Sequence, residues 1–71
     1  MAEIIKGIEV SNLAITYAEL IMDGVYTFDK VKTRFKGDCA IVLVAMGYED
    51  KVTDEVYLAE AKDRLEKAQQ E

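Results

Sequence analysis

The sequence predicts an all-α fold: a small helical domain of three to four helices, with a short extended N-terminal arm and a longer amphipathic C-terminal helix. Three observations support this prediction. Apolar residues recur at helical spacing in the segments 11–23 and 53–70. Residues that typically begin and end helices, such as Ser11 and Gly24, flank the helical patterns. A chain of 71 residues is one domain at most, so residues 1–71 are interpreted as a single domain.

The segment 1–10 is predicted to be an extended arm or a short strand. Its aliphatic residues follow a partial period of two, which Gly7 interrupts. These aliphatic residues are Ile4, Ile5, Ile8 and Val10. A lone strand cannot complete a sheet, so the arm either packs along the helices or pairs with a second copy. A partly ordered terminus is the alternative.

Residues 11–23 are predicted to form the first helix, because Ser11 is a good N-cap and Gly24 a good C-terminal stop. Two adjacent apolar stripes give this helix a broad core face. They consist of Leu13, Tyr17 and Leu20, and of Ala14, Ala18 and Ile21. Ile15 and Met22 lie beside the acidic outer side instead, which makes them candidate interface residues.

A second helical segment is predicted over 28–46, with Thr27 as its N-cap. We expect a kink or short break at 37–38, where Asp38 can cap the following segment. Alternatively, Gly37 lies inside one continuous helix at a cost of roughly 1 kcal/mol relative to Ala.

The run from Cys39 to Tyr48 is the most uniformly apolar stretch of the chain. A helix is predicted here, with Gly47 as its stop, although the β-branched residues make a buried strand the main competitor. Ile41 and Val44 fall outside the apolar stripe that the helix shares with the preceding segment, so they are candidate interface residues. A helix that is apolar all round needs the C-terminal helix or a second subunit to cover it.

The last helix is predicted over 53–70, capped by Thr53. A thin apolar seam of alternating spacings of three and four runs along it, and its leucines Leu58 and Leu65 are candidate interface residues. Glu60 with Arg64 and Asp63 with Lys67 are expected ion pairs at i,i+4 spacing.

The composition argues against catalysis and cofactor binding. The chain has no His, and its single Cys39 cannot form an intrachain disulfide. No nucleophile lies beside a base, no glycine-rich phosphate loop is present, and the carboxylates do not follow a calcium-loop pattern. We therefore expect a non-enzymatic protein with no catalytic, cofactor-binding or metal site. Tyr26, Tyr48 and Tyr57 are either core edges or interface anchors, and Tyr48 is interpreted as a core edge.

Charge is distributed unevenly along the chain. Residues 1–36 carry five basic and five acidic side chains, whereas residues 37–71 carry four and nine, which gives the net charge of -5. We expect a protein partner and no direct nucleic-acid binding. The one basic cluster is interpreted as a solvated face, or alternatively as a contact for an acidic partner. It consists of Lys30, Lys32, Arg34 and Lys36.

Neither a membrane span nor a secretory signal peptide is expected. The apolar run from Cys39 to Tyr48 has ten residues, whereas a spanning helix needs about 20. The first ten residues contain charged side chains and lack a continuous apolar segment of signal-peptide length.

The pattern Tyr17-Ala18-x-Leu20-Ile21, then Gly24, Thr27-Phe28-Asp29, Val31 and finally Met46-Gly47-Tyr48 resembles the XkdX-like small proteins of phages and prophages of Gram-positive bacteria. The resemblance covers residues 16–50. It implies a phage-encoded, non-catalytic helical protein of the host cytoplasm or the virion. The family commonly has Pro where this chain has Lys32, so we expect Phe28 to Lys36 to run as one helical piece.

Two functions follow from these observations. The first is a phage accessory or assembly module that binds protein through its helices and forms a homo-oligomer. The second is an acidic inhibitor of a host protein, such as a defence nuclease, whose basic site would be occupied by acidic side chains of the C-terminal half. Both functions involve a protein partner, either a second copy or a phage or host protein.

Overall fold

The computed structural model describes residues 2–69, which are mainly helical. In chain order its elements are strands β1 (Ala2–Ile5) and β2 (Ile8–Ser11) and helices α1 (Asn12–Met22), α2 (Thr33–Ala45) and α3 (Glu55–Gln69). Short 3₁₀ turns over Phe28–Lys30 and Glu49–Lys51 lie in the two interhelical connections. The predicted helical character is confirmed, but the fold is not all-α, because the N-terminus forms a small sheet. None of the helices is long and apolar enough over the described residues to cross a bilayer.

The N-terminal segment is a β-hairpin rather than a single extended arm. β1 and β2 pair antiparallel with Ile5 opposite Ile8, so only Lys6 and Gly7 form the connection. Both have positive φ, 50° and 89°, as a two-residue type I′ turn requires. Gly7 therefore reverses the chain instead of interrupting a strand, and β1 finds its partner within the chain. Met1, the first residue of the predicted arm, lies outside the described residues.

Helix α1 begins and ends as predicted. The Ser11 hydroxyl accepts a hydrogen bond from the Leu13 N–H at 3.2 Å. At the other end, Gly24 has φ of 81°. Its N–H donates to Ile21 O at 3.0 Å, while the following N–H of Val25 donates to Leu20 O at 3.0 Å. These two bonds form a Schellman motif, which turns the chain away from the helix axis.

The predicted helix over 28–46 is interrupted at 31–32, not at 37–38. Val31 and Lys32 have extended backbone, with ψ of 139° and 140°, and Val31 is buried. Helix α2 begins at Thr33 and continues through Gly37 and Asp38. The prediction that Lys32 allows one continuous piece was therefore wrong, as was the predicted capping role of Asp38. Thr27 makes no side-chain capping bond either.

Helix α2 is the centre of the core. Its residues Cys39–Leu43 are each 1% exposed or less, and it packs against both α1 and α3. The hairpin contacts α2 as well, chiefly through β2. Gly47, with φ of 85°, ends α2 in a second Schellman motif. Of the two expected covers, the C-terminal helix and a second subunit, the structure shows the first: α3, together with α1 and the hairpin, packs on α2, and Cys39–Leu43 is buried within one chain.

Helix α3 packs on α2 through Ala61 and Leu65, which are 1% and 8% exposed. Its cap is Asp54 rather than the predicted Thr53. Asp54 Oδ1 accepts hydrogen bonds from the N–H groups of Val56 and Tyr57, at 2.9 and 3.4 Å. The helix is described to Gln69, and the predicted end at residue 70 lies outside the described residues.

The end of α3 contacts the hairpin turn. Gln69 Nε2 donates to the main-chain oxygen of Lys6 at 2.9 Å. A Cβ placed on Gly7 would lie 3.8 Å from Ala68 Cβ, so the turn is close to the end of α3 and a small side chain at this position would just touch it. This contact joins the first and last elements of the described chain.

Candidate interaction surface

The residues predicted as an interface lie largely inside the chain's own core. Ile41 is 0% and Leu65 8% exposed, so neither is available to a partner, and their assignment as interface residues was wrong. The other four are partly buried and pack against the core. They are Ile15, Met22, Val44 and Leu58.

The large apolar side chains that are exposed belong to other residues. Val56 and Val25 are 74% and 72% exposed, and Tyr48 is 39% exposed, more than a core-edge residue would be. The remaining large apolar side chains in this class are Ile4, Leu13 and Met46. Most of these residues lie at element ends and in connections. Leu13, predicted from helical spacing to face the core, is 55% exposed in the first turn of α1, so that prediction was wrong.

Three aromatic rings, which are partly buried and pack against the core like the four candidate residues above, form a cluster between α1 and the start of α2. The ring centroid of Tyr17 lies 5.5 Å from that of Tyr26 and 5.9 Å from that of Phe35. Tyr17 comes from the middle of α1, Phe35 from the first turns of α2, and Tyr26 from the connection that follows Gly24. The Tyr26 hydroxyl donates to Lys30 O at 3.1 Å, which holds the ring against the 3₁₀ turn.

One exposed basic side chain borders these rings, and two further bases lie nearby in the sequence, on the connection and at the N-cap of α2. The guanidinium carbon of Arg34 lies 5.0 Å from the Phe35 ring centroid, within cation–π range. Lys30 and Lys32 are also exposed. Among the described residues, ion pairs join only Lys62 to Glu49 and Lys67 to Asp63, so these three bases have no acidic partner. We call this set the aromatic–basic surface; it consists of Tyr17, Tyr26, Phe35, Lys30, Lys32 and Arg34.

The start of α2 adds to the positive potential of the aromatic–basic surface. No acidic residue lies in its first turn, and Lys32 at the N-cap makes no side-chain hydrogen bond to the helix. The positive end of the helix dipole is therefore uncompensated by local carboxylates. An acidic group is favoured here on electrostatic grounds, even though the chain as a whole carries a net charge of -5.

An open cleft of about 230 Å³ adjoins the aromatic–basic surface. Ile21, Tyr26 and Phe28 form its apolar part, while Asp50 and Lys51 line its polar side. Tyr26 belongs to both the cleft and the aromatic–basic surface. The Lys36 ammonium lies 5.8 Å from the centroid of the Phe28 ring, which places a further positive charge beside the cleft.

The potentially reactive side chains of the described chain have structural surroundings. Cys39 is fully buried, and desolvation raises the pKa of its thiol to about 12, so the nucleophilic thiolate is not formed near neutral pH. The Ser11 hydroxyl caps α1. Over the residues that the structure describes, no three acidic or cysteine side chains are grouped as metal ligands would be.

Several residues of the aromatic–basic surface have a predicted role from the sequence, but the sequence does not predict that they lie close to one another. Tyr17 was assigned to the core face of its helix, Tyr26 to a core edge or an anchor, and the bases to a solvated face. Helical spacing relates residues within one helix and carries no information on contacts between Tyr17 and Phe35, which are on different helices. Aromatic residues lie close to the basic residues in the sequence, as Phe35 does to Arg34. This is the one local signal that could have indicated the cluster.

Comparisons of the chain with protein-family models, with curated proteins and with solved structures give no match. The chemistry of the exposed surface is therefore the main support for a function.

Proposed function

We propose that this chain is a phage-encoded protein without catalytic activity that works by binding another protein through its aromatic–basic surface, in an accessory or assembly role. The observation that carries the proposal is the contact of Tyr17 with both Tyr26 and Phe35, close to bases that form no ion pair among the described residues. Tyr and Arg are enriched among the residues that dominate binding at protein interfaces, because they combine apolar area with hydrogen-bonding groups.

The phage setting is supported by the resemblance of residues 16–50 to the XkdX-like small proteins. That family commonly has Pro where this chain has Lys32. Lys32 has φ of -61°, which proline also adopts, and Val31 before it is extended, as a residue before proline prefers to be. The backbone of this chain is thus the one that the family's proline would favour. Host cytoplasm or virion is the corresponding location.

Self-association, expected from the sequence, has less support in the structure. In the two regions predicted to make the contact, the apolar run and the seam of α3, the residues that stay exposed or partly exposed include Met46, Leu58, Val44 and Ala45. The apolar segment Cys39–Leu43 and the seam residue Leu65 are buried within one chain. We therefore propose a different protein, rather than a second copy, as the partner.

The alternative of an acidic inhibitor has weaker support than an interaction module. It requires an acidic face on the C-terminal half. The exposed side chains on α3 between residues 60 and 67 include three acidic and three basic groups, whose formal charges cancel. They are Glu60, Asp63 and Glu66, and Lys62, Arg64 and Lys67. Such a mixed face does not resemble the uniform negative charge of a nucleic-acid backbone.

Affinity capture from phage-infected cells tests the proposal with two matched variants. K30Q/K32Q/R34Q removes three positive charges from the aromatic–basic surface, and K62Q/R64Q/K67Q removes three from the exposed side of α3. Far-UV circular dichroism and a thermal melt establish that both variants fold. We expect a phage structural or assembly protein to be captured by the wild type and the α3 variant, and lost with K30Q/K32Q/R34Q.

Direct binding of the captured protein is then measured with both purified components. Equal binding by the two variants would reject the aromatic–basic surface as the binding site. Recovery of a host nuclease that the chain inhibits, with inhibition lost on changing Glu60, Asp63 and Glu66 to Gln, would favour the inhibitor function instead.

A further inference from the structure

The cleft and the aromatic–basic surface are continuous, because Tyr26 belongs to both. One part of Tyr26 lines the cleft with Ile21 and Phe28. Its ring stacks on Tyr17, and its hydroxyl binds the main chain of Lys30. A segment lying across this region would contact an apolar recess at one end and exposed bases at the other.

The size and lining of the cleft fit one side chain better than a separate small molecule. Its volume of about 230 Å³ is below the range of about 300–1,000 Å³ that is typical of small-molecule pockets. Its apolar part would take an aromatic or large aliphatic group. The formal charges of Asp50 and Lys51 on its polar side cancel, so the charge preference of the region comes from Lys30, Lys32 and Arg34.

We infer that the partner contributes an acidic segment with one aromatic or large aliphatic side chain, which enters the cleft while its carboxylates contact Lys30, Lys32 and Arg34. The inference rests on the proposed function and specifies the chemistry of the partner. Charge complementarity is its basis: over residues 2–69 the structure pairs none of the three bases with a described acidic side chain, and the start of α2 has no acidic residue in its first turn.

Single-stranded nucleic acid fits this surface less well than an acidic segment. In proteins that bind single strands, the nucleotide bases stack on open faces of aromatic side chains. Here Tyr17 and Tyr26 stack on each other with an angle of 28° between their planes, and the Arg34 guanidinium lies over Phe35. These ring faces are thus already in contact with other side chains of the same chain. The net charge of -5 also opposes an extended polyanion.

Fluorescence anisotropy with labelled probes tests the inference on the full chain. The main probe is a peptide of aspartates and glutamates around one phenylalanine; the second replaces phenylalanine by alanine, and the third is oligothymidylate. We expect the phenylalanine peptide to bind, with affinity that falls as salt rises. K30Q/K32Q/R34Q should weaken binding by about tenfold, whereas K62Q/R64Q/K67Q should leave it within about twofold.

A cleft-filling variant tests the second half of the inference. Thr53 lines the cleft and is exposed, so T53F would fill it from the rim without changing the charge. We expect the phenylalanine peptide to bind T53F about tenfold more weakly than it binds the wild type. We also expect the alanine peptide to bind the wild type about tenfold more weakly than the phenylalanine peptide does. In both cases the buried apolar contact is lost.

Absence of binding by the phenylalanine peptide would overturn the inference, and so would equal effects of the two Gln triple variants. Tighter binding of oligothymidylate than of the peptide would overturn it in favour of nucleic acid. If the phenylalanine peptide binds wild type and T53F with equal affinity, the proposal that its phenylalanine enters the cleft is rejected. If the capture experiment still gives a partner that is lost with K30Q/K32Q/R34Q, the proposed function stands and only the acidic chemistry of the partner is rejected.

Discussion

The main-chain N–H of Ser11 donates to Asp38 Oδ2 at 3.2 Å, which connects the end of the hairpin to the middle of α2 across 27 positions of sequence. The hydroxyl of the same serine caps α1. Ser11 therefore fixes the corner between β2 and α1 and attaches that corner to the central helix. This role for Asp38 also explains why a residue that is typical of helix starts lies inside a helix.

Asp38→Ala should lower the free energy of unfolding by about 1–2.5 kcal/mol. The partly buried N–H of Ser11 loses an ionised acceptor, a loss of about 1.5–3 kcal/mol, and the better helix propensity of alanine offsets roughly 0.5 kcal/mol of it. Urea unfolding followed by circular dichroism measures the change. Asp29→Ala is the control, because Asp29 is exposed and outside the α-helices; a loss of equal size there would show that the Ser11 contact is not the cause.

Proline substitutions should distinguish the observed break at 31–32 from the one expected at 37–38. Lys32→Pro should raise the free energy of unfolding by about 0.4–1 kcal/mol, because the native backbone already suits proline and the unfolded chain loses freedom. Gly37→Pro should lower it by about 3 kcal/mol, since an intrahelical hydrogen bond is removed. Thermal melts of both variants measure these effects. Tolerance of Gly37→Pro would place a break where the structure has continuous helix.

Gly37→Ala and Gly24→Ala should change stability in opposite directions. A Cβ meets nothing within 4 Å at either position, so the backbone conformation alone decides whether alanine raises or lowers the stability. Gly37 lies inside α2, where alanine stabilises by about 0.5–1 kcal/mol. Gly24 has φ of 81°, where an L residue costs about 1–2 kcal/mol. Denaturant midpoints at one pH provide the comparison, and shifts of the same sign would contradict this explanation.

The Cys39 thiol should react with a disulfide reagent only when the chain unfolds. It is fully buried, and desolvation raises its pKa to about 12, so the folded chain offers neither access nor thiolate. Labelling with Ellman's reagent at mildly alkaline pH should be slow in buffer and rapid in denaturing urea. Rapid labelling of the native protein would show that α2 opens far more readily than its burial implies.

Ionisation of Cys39 should make the fold less stable at high pH. The thiol has a pKa of about 12 in the folded chain, because burial desolvates it, against 9.0 for a cysteine thiol in water. The unfolded chain therefore releases the proton first, so stability that is fully present below pH 9 is lost as pH rises towards 12. The slope is at most about 1.4 kcal/mol per pH unit. Cys39→Ala should lack this component, and parallel pH profiles for both proteins would contradict the prediction.

The ends of the helices could be predicted from sequence wherever the signals are local. Ser11, Gly24 and Gly47 act through hydrogen bonds to main-chain groups a few residues away, and each has the predicted role. The hairpin was missed because Lys6 is an unusual residue for a positive φ, so Lys6-Gly7 lacks the common Asn-Gly signature of a type I′ turn. Asp54 rather than Thr53 caps α3, a difference of one residue that propensity alone does not resolve.

The candidate site depended on contacts that the sequence does not encode locally. Ile41 was a candidate interface residue because a single helix cannot bury all its faces, and the structure covers it through the combined packing of α1, α3 and the hairpin. Tyr17, Tyr26 and Phe35 meet only once the break at Val31 and Lys32 sets the direction of α2. With the break predicted at 37–38 instead of 31–32, the predicted direction of α2 is wrong, and the proximity of these three rings cannot be predicted.

The contact between Gln69 and Lys6 has a consequence for the folding kinetics. It spans 63 positions of sequence, so almost the whole chain must be ordered before it can form, and the entropy of loop closure is largest here. Such contacts of long sequence separation form late in small proteins whose helices assemble from local interactions. The contact between the hairpin turn and the end of α3 thus stabilises the folded chain against unfolding and has little part in starting its folding.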